Sequence, residues 1–138
     1  MDAREYLEQI EKNECIIANK QIEKKKWLDI ATGTTAKVGG ERVQTSGDGH
    51  TMEKQIVEVV LIDEEIERLK GQIAEIIATL ERLRMSEYDF LHKLYVQHLS
   101  MKDIQAASGK SYSWATTTHN RALMNLQKIL DGQEKARA

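Results

Sequence analysis

The apolar residues between positions 52 and 84 recur with the spacing of a coiled coil. Two interleaved series each repeat every seven residues, as the a and d positions of a heptad do. The pattern predicts a helix that begins at Thr51 as its N-cap, ends near Arg84 and is ~50 Å long. Its apolar seam needs a partner, which is the first helix of the chain, a second copy of the protein, or both. The seam residues are Val59, Ile62, Ile66, Leu69, Ile73, Ile76, Leu80 and Leu83.

A weaker apolar stripe runs through the amino-terminal part of the chain. Asp2 and Glu5 have the spacing of a helix N-terminal cap, and the stripe predicts a helix from there to about Ala31. The polar residues Glu14 and Gln21 interrupt the stripe, so this helix alone would bind a partner weakly. The apolar members of the stripe are Leu7, Ile10, Ile17, Leu28 and Ala31.

The segment 32–51 between these two helices is predicted to be a loop. It holds five of the eight glycines and is longer than most connections in compact domains. Within it, the sequence ERVQTS (Glu41 to Ser46) is either an ordered contact patch or solvated linker. Residues 1–84 are therefore expected to form a helical hairpin or coiled-coil arm with a glycine-rich loop at 32–51.

Three shorter helices are expected in residues 85–138, which form the second predicted domain. Ser86 with Asp89 and Ser100 with Asp103 have the Ser-x-x-acid spacing of helix N-terminal caps. One helix is therefore expected to begin at Ser86 and the next at Ser100. No other element type is needed, so the predicted fold class is all-α.

The last two helices have the arrangement of a helix-turn-helix. The first is predicted for Met101 to Ser108 and ends at Gly109, the residue type that adopts a left-handed C′ conformation most readily. Ser111 can cap the helix that follows, in the position of a DNA recognition helix. The residues expected to face the core are Ala115, Ala122 and Leu126. The residues expected to face a major groove are Tyr112, Ser113, Thr116, Thr117 and Asn120.

The three consecutive threonines, Thr116 to Thr118, are poor helix formers because β-branched side chains lose rotamer freedom in a helix. A contact surface would explain them. A threonine hydroxyl bonds phosphates or base edges, its methyl group contacts thymine, and Asn120 can form two hydrogen bonds with adenine. The alternative is that Thr116 and Thr118 bond carbonyl groups one turn earlier in their own helix.

The charge distribution allows the carboxy-terminal segment to approach a polyanion, but its excess of basic residues is too small to hold DNA by charge alone. The whole chain has a formal net charge of −2, whereas residues 86–138 carry more basic than acidic side chains. Candidates for phosphate contacts are Lys102, Lys110 and Arg121. Trp114 is expected to pack against the first helix of the second domain or to lie along the DNA backbone.

The sequence has no catalytic motif. HExxH, CxxC, GxxxxGK and GxGxxG are absent, the four histidines are scattered, and His119 is interpreted as a partly packed residue. We therefore expect no enzyme activity and no cofactor or metal. Cys15 is the single cysteine, and the sequence has neither a signal-peptide pattern nor a long apolar run, so we expect a cytoplasmic protein.

Residues 98–130, HLSMKDIQAASGKSYSWATTTHNRALMNLQKIL, resemble region 4 of bacterial sigma factors without gaps. With EYLEQI near the start, ERVQTS and the long helix, nearly the whole chain resembles a family of small phage and prophage proteins of Gram-positive bacteria. That family is regarded as sigma-region-4-like transcription regulators, similar in character to late-gene activators. Gln105 and Ser108 depart from the apolar residues usual at their positions. The residues that match region 4 are Leu99, Ser100, Ile104, Gly109, Ser111, Ala115, Arg121, Ala122, Leu123 and Leu126.

The resemblance implies a phage-type transcription regulator that binds double-stranded DNA in a bacterial host cell, with host RNA polymerase as a second partner. We expect a homodimer, because two copies of the helix-turn-helix on one DNA molecule compensate for the small positive charge of each. We expect no membrane and no small-molecule substrate as partners. Two other functions remain open: the recognition subunit of phage DNA packaging, which is small-terminase-like, and a protein-interaction module that occupies a polymerase surface without touching DNA.

Overall fold

The computed structural model describes residues 1–32 and 48–137. Most of these residues are helical and none is in a β-strand, which confirms the predicted all-α class for the described part of the chain. The segment ERVQTS lies outside it. The elements are α1 (Ala3–Thr32), α2 (Asp48–Leu80), α3 (Met85–Leu91), a π-helical turn (His92–Val96), α4 (Met101–Ser108) and α5 (Tyr112–Arg137).

The ends of α1 agree with the prediction, whereas both ends of α2 differ from it. The Glu5 backbone N–H donates to Asp2 Oδ2 over 3.4 Å, and α1 ends at Thr32. Helix α2 begins at Asp48, so Thr51 is not its N-cap. It ends at Leu80, where a tighter turn follows in which the Leu83 N–H donates to the Leu80 carbonyl over 3.0 Å. This turn redirects the chain and places Leu83 in the core, with 9% of its surface exposed.

The prediction that Ser86 caps α3 is wrong. Helix α3 begins one residue earlier, at Met85, and its N-cap is Arg84, which has extended backbone angles and makes no side-chain cap bond. The Arg84 carbonyl accepts hydrogen bonds from the Glu87 and Tyr88 N–H groups over 3.0 and 2.9 Å. The Ser-x-x-acid spacing at Ser86 and Asp89 is therefore not used as a cap.

The chain forms two compact units whose boundaries differ from the predicted domains 1–84 and 85–138. Unit 1 consists of Met1–Asn13 and Gln72–Ala138, and unit 2 consists of Glu14–Gly71. Unit 1 therefore contains both the predicted helix-turn-helix and the beginning of α1. The physical reason is that apolar residues from both parts of the chain share one core, which local sequence patterns do not report.

The core of unit 1 is built on the inner face of α5. It includes residues from every helix of the unit, and most are less than 5% exposed. Gln127 on α5 joins the two parts of the chain, because its Oε1 accepts the Ala3 N–H over 2.7 Å and its Nε2 donates to the Met1 carbonyl over 3.0 Å. The buried residues are Ala3, Leu7, Ile10, Ile76, Leu80, Leu83, Phe90, Leu91, Ile104, Ala115, Ala122, Leu126 and Leu130.

Polar pairs align α1 with α2 within unit 1. The Tyr6 hydroxyl bonds Thr79 Oγ1 over 2.9 Å, and Asn13 Nδ2 donates to Gln72 Oε1 over 3.0 Å. A higher residue number on α1 pairs with a lower one on α2, so the two helices are antiparallel here. The seam residues of this unit are Ile73, which is half-buried, and Ile76, Leu80 and Leu83, which are buried.

Unit 2 contains the remaining part of the seam. Ile62, Ile66 and Leu69 are 6%, 5% and 3% exposed, and Val59 is half-buried. An ion pair between Lys24 Nζ and Asp63 Oδ1, 2.8 Å apart, joins α1 to α2 in this unit. The seam predicted as an oligomer contact is thus largely buried within one chain in each unit, and a second copy would have to use another face.

None of the described helices has the length and apolarity that a membrane span requires.

Two backbone features lead the chain into α4 and α5. His98, after the π-helical turn, has φ of 60°, a value that residues other than glycine seldom adopt. Gly109 ends α4 with φ of 72°, and its N–H donates to the Gln105 carbonyl, which confirms the predicted left-handed cap. The turn between α4 and α5 therefore depends on one glycine backbone.

Two glycine substitutions should have opposite effects on stability. A Cβ at Gly109 would meet no atom within 4 Å, but the left-handed backbone makes any other residue strained, so Gly109→Ala should lower the free energy of unfolding by ~1–2 kcal/mol. Gly71 lies inside α2 in open space, so Gly71→Ala should raise it by ~1 kcal/mol. Urea denaturation followed by circular dichroism measures both. Equal effects of the two substitutions would contradict the role given to the Gly109 backbone.

Candidate nucleic-acid interface

The start of α4 is held by a complete capping box. Ser100 Oγ accepts the Asp103 N–H over 3.0 Å, and the Asp103 carboxylate accepts the Ser100 N–H over 3.1 Å. Both bonds satisfy backbone donors that a helix end leaves without partners. The cap predicted from Ser100 and Asp103 is confirmed, and it fixes where α4 begins.

The start of α5 is held by Ser111. Its Oγ accepts the Trp114 N–H over 3.0 Å, and its carbonyl accepts the Ala115 N–H over 3.1 Å. Ser111 therefore caps α5, as the sequence predicts. The N–H groups of the first turn point along the helix axis, where the helix dipole favours an anion.

The inner face of α5 is buried as predicted. Ala115, Ala122 and Leu126 have no exposed surface, and Ile104 of α4 is 3% exposed in the same core. Small alanines let α5 lie close to its neighbours, which fixes the rotation of the helix about its axis. That rotation determines which residues of α5 face outward.

The outer face of α5 is polar and contains no acidic residue near its start. Ser113, Thr117 and Asn120 are exposed and lie about one helical turn apart on one side of the helix. Tyr112 is 66% exposed beside them. Between Lys110 and Lys128 there is no Asp or Glu in the sequence, so this face carries no carboxylate that would repel a polyanion.

Thr116 differs from its predicted role. It is half-buried, and its hydroxyl oxygen is enclosed without a hydrogen-bond partner. The prediction that this hydroxyl faces a groove is therefore wrong for this structure. The alternative, that Thr116 bonds a carbonyl one turn earlier, is not observed either. Thr118 is 2% exposed and belongs to the inner face.

The aromatic residues near α5 hold it against α3. Trp114 is half-buried and packs edge-on against Phe90 of α3, with ring centroids 5.7 Å apart. This agrees with the first of its two predicted positions. His119 packs beside Phe90, and its Nε2 lies 2.9 Å from the Tyr95 hydroxyl, as expected of a partly packed histidine.

A buried carboxylate, which the sequence analysis missed, connects α3 to α5. Glu87 is 1% exposed, and its Oε2 accepts a hydrogen bond from Asn125 Nδ2 over 2.8 Å and lies 3.3 Å from Arg121 Nε. The sequence contains a signal for this contact. Glu87 lies three and four residues before Phe90 and Leu91 on the inner side of α3, and Arg121 and Asn125 are four apart on α5.

The three candidate phosphate contacts differ in their surroundings. Lys102 and Lys110 are exposed, one at the start of α4 and one just before α5. The side chain of Arg121 is 49% exposed, and its Nε faces Glu87, so it is oriented by the protein and is not a freely moving cation. Of the two positions that depart from region 4, Ser108 is exposed and Gln105 is half-buried.

Comparisons of the chain with protein-family models, with curated proteins and with solved structures found no match.

Removing the buried carboxylate should destabilise the protein. Glu87→Ala leaves Asn125 without its acceptor and Arg121 without its ion pair, so the free energy of unfolding should fall by ~1–3 kcal/mol. Arg121 is half-exposed, so water limits the loss. Glu81→Ala, at an exposed position, is the control and should stay within ~0.5 kcal/mol of the parent. Equal urea midpoints for the two variants would contradict a structural role of Glu87.

The free energy of unfolding should decrease as the pH is lowered, because the ring of His119 then takes up a proton. Burial lowers the pKa of His119 below its ordinary value of 6.5, and the positive charge of Arg4 acts in the same direction. The unfolded chain therefore binds the proton more readily, and the contribution, full above pH ~6.5, is lost as the pH falls through the lowered pKa. His119→Gln should remove this part of the pH dependence. Urea denaturation at pH ~7.5 and ~5 tests it, and identical losses in parent and variant would contradict it.

Proposed function

We propose that the protein is a DNA-binding transcription regulator of phage type that inserts the first turns of α5 into a major groove. In this proposal, α4, the Gly109 turn and α5 act as a sigma-region-4-like helix-turn-helix. This helix-turn-helix, which we call the reader, binds DNA and catalyses no reaction. The observation that carries the proposal is the outer face of α5, which is exposed, polar and free of carboxylates where Ser113, Thr117 and Asn120 lie.

The chemistry of that face suits direct readout of base pairs. An asparagine side chain can both accept from and donate to adenine, and threonine offers a hydroxyl and a methyl group. Thr117 and Asn120 are three positions apart and therefore adjacent on the helix surface. A reader with so few base contacts is expected to discriminate modestly between sequences.

Contacts with the DNA phosphates would position the helix-turn-helix on the duplex. Lys110 precedes the first turn of α5, where the helix dipole also favours an anion. Arg121 is held by Glu87 through Nε, which leaves the far side of a half-exposed guanidinium for a phosphate oxygen. Lys102 at the start of α4 would supply a further contact. Such contacts fix the orientation of a reader and carry no sequence information themselves.

Host RNA polymerase is the proposed second partner. Its involvement follows from the resemblance of residues 98–130 to a sigma factor region. A basic surface of only a few side chains binds DNA weakly at physiological salt, so a polymerase bound at the same site would strengthen the complex. For this reason the DNA-binding experiment should have one arm with RNA polymerase and one without it.

Sequence preference should depend on Thr117 and Asn120. We expect Thr117→Ala and Asn120→Ala each to reduce discrimination by ~1–3 kcal/mol, because each removes a contact to a base edge. The measurement is a gel-shift titration with a duplex selected from a random pool and with a scrambled duplex of the same composition. It should be done at two salt concentrations, because low salt alone favours binding to any sequence.

Two control variants distinguish recognition of the base sequence from electrostatic binding to any DNA duplex. Asn19→Ala, at an exposed position on α1, removes the same side chain away from the reader and should change nothing. Lys110→Ala should weaken binding to both duplexes equally and reduce the salt dependence by about one phosphate contact. A parent protein that selects no sequence from the pool, with or without polymerase, would refute the proposal.

A further inference from the structure

Among the described residues, most of the exposed large apolar side chains lie in unit 2. Of the twelve large apolar residues that are markedly exposed in the described chain, eight belong to this unit. Five of them are on α2 and are between 48% and 54% exposed. We call these five the apolar patch, and its members are Met52, Ile56, Val57, Val60 and Leu61.

The apolar patch lies on a different side of α2 from the seam. Ile62, Ile66 and Leu69 of the seam are buried within the unit. The five residues of the patch remain exposed, so the packing that covers the seam does not cover the patch. Between Ile56 and Ile62, every residue except Glu58 is apolar. A helix that is apolar on all sides normally has neighbours on all sides. The described helical segments of unit 2 leave these side chains exposed, so the patch is an apolar surface that a partner could bury.

We propose that a second copy of this chain covers the apolar patch, with the two α2 helices antiparallel across a two-fold axis near Val59. Unit 2 of each copy contributes its segments of α1 and α2, so the described helical segments of the two copies number four, a stable arrangement for amphipathic helices. In this register, Val57 lies against the partner's Leu61, and the same contact occurs twice, as in any isologous dimer.

The charges beside the patch favour a second copy in this orientation. Lys54, Val57, Leu61 and Glu64 are exposed and follow the three-and-four spacing of a coiled-coil face. With the axis near Val59, Lys54 lies opposite the partner's Glu64 and Glu64 opposite the partner's Lys54. A parallel pair would instead place like charges together at both ends. The face is therefore complementary to itself in the antiparallel orientation. A different protein would need the same spacing of apolar and charged residues to fit it equally well.

The dimer proposal uses unit 2 alone and does not depend on DNA binding. It adds to the proposed function, because a dimer carries two copies of the proposed helix-turn-helix. The masses below are measured without DNA, so failure of the dimer and failure of the reader can be recognised separately.

Sedimentation equilibrium of the full chain tests the dimer. We expect a mass twice the 15.8 kDa of one chain, and we expect Val57→Glu combined with Leu61→Glu to raise the dissociation constant by more than ~100-fold, because charges would lose hydration at the contact. Met85→Glu, at a 76% exposed position of unit 1, is the matched control and should remain dimeric. Circular dichroism confirms that each variant is folded.

The antiparallel register is tested by exchanging charges. Lys54→Glu alone and Glu64→Lys alone should each weaken the dimer, and the two together should restore it, since the opposite-charge pairs form again. A parent chain that is monomeric up to about 100 μM, or a ring of eight or more chains, overturns the proposal. So does a parent dimer that is unaffected by the paired glutamates, or a double charge exchange that fails to restore association.

Discussion

The burial of the inner face of α5 determines the rest of unit 1. Ala115, Ala122 and Leu126 are completely buried, and the core around them takes residues from α1, α2, α3 and α4. With two alanines on that face, the neighbouring helices come close to α5, and neither a rotation nor a shift of the helix would keep it covered. The outward direction of Thr117 and Asn120 is a consequence of this packing and not of any local preference of their own.

Polar contacts then restrict how α5 can move against α3. Glu87 is buried, accepts a hydrogen bond from Asn125 and forms an ion pair with Arg121, both on α5. A buried carboxylate is costly unless its oxygens have partners, so this contact favours one arrangement of the two helices over others. The same contact orients the Arg121 side chain toward the edge of the outer face. Core packing and surface chemistry are therefore linked through one side chain.

Features that depend on neighbours in the sequence could be predicted, and those that depend on distant residues could not. The seam periodicity, the Ser100 capping box and the Gly109 turn are local, and all three are present in the structure. The contribution of Met1–Asn13 to the core of unit 1 comes from across the chain, so no window of sequence reveals it. At Ser86 the local signal was misleading, because the α2–α3 turn fixes where α3 begins.

The candidate site was predicted in outline and not in detail. The inward residues of α5 and the exposed positions of Ser113, Thr117 and Asn120 follow from helical periodicity. Whether a threonine hydroxyl points outward depends on its rotamer and its neighbours, and at Thr116 it is enclosed. The partner of Arg121 depends on how two helices are packed, which the sequence of either helix does not specify.

Unit 2 is inserted into the sequence of unit 1, and this has a consequence for how the molecule assembles. Ala3 and Gln127, which are joined by a hydrogen bond, are 124 positions apart. Contacts between such distant positions lose much chain entropy before they gain energy, so they form slowly. Any pairing of the α1 and α2 segments inside the inserted unit shortens the stretch of chain that unit 1 must close, and so lowers the entropy cost of its closure.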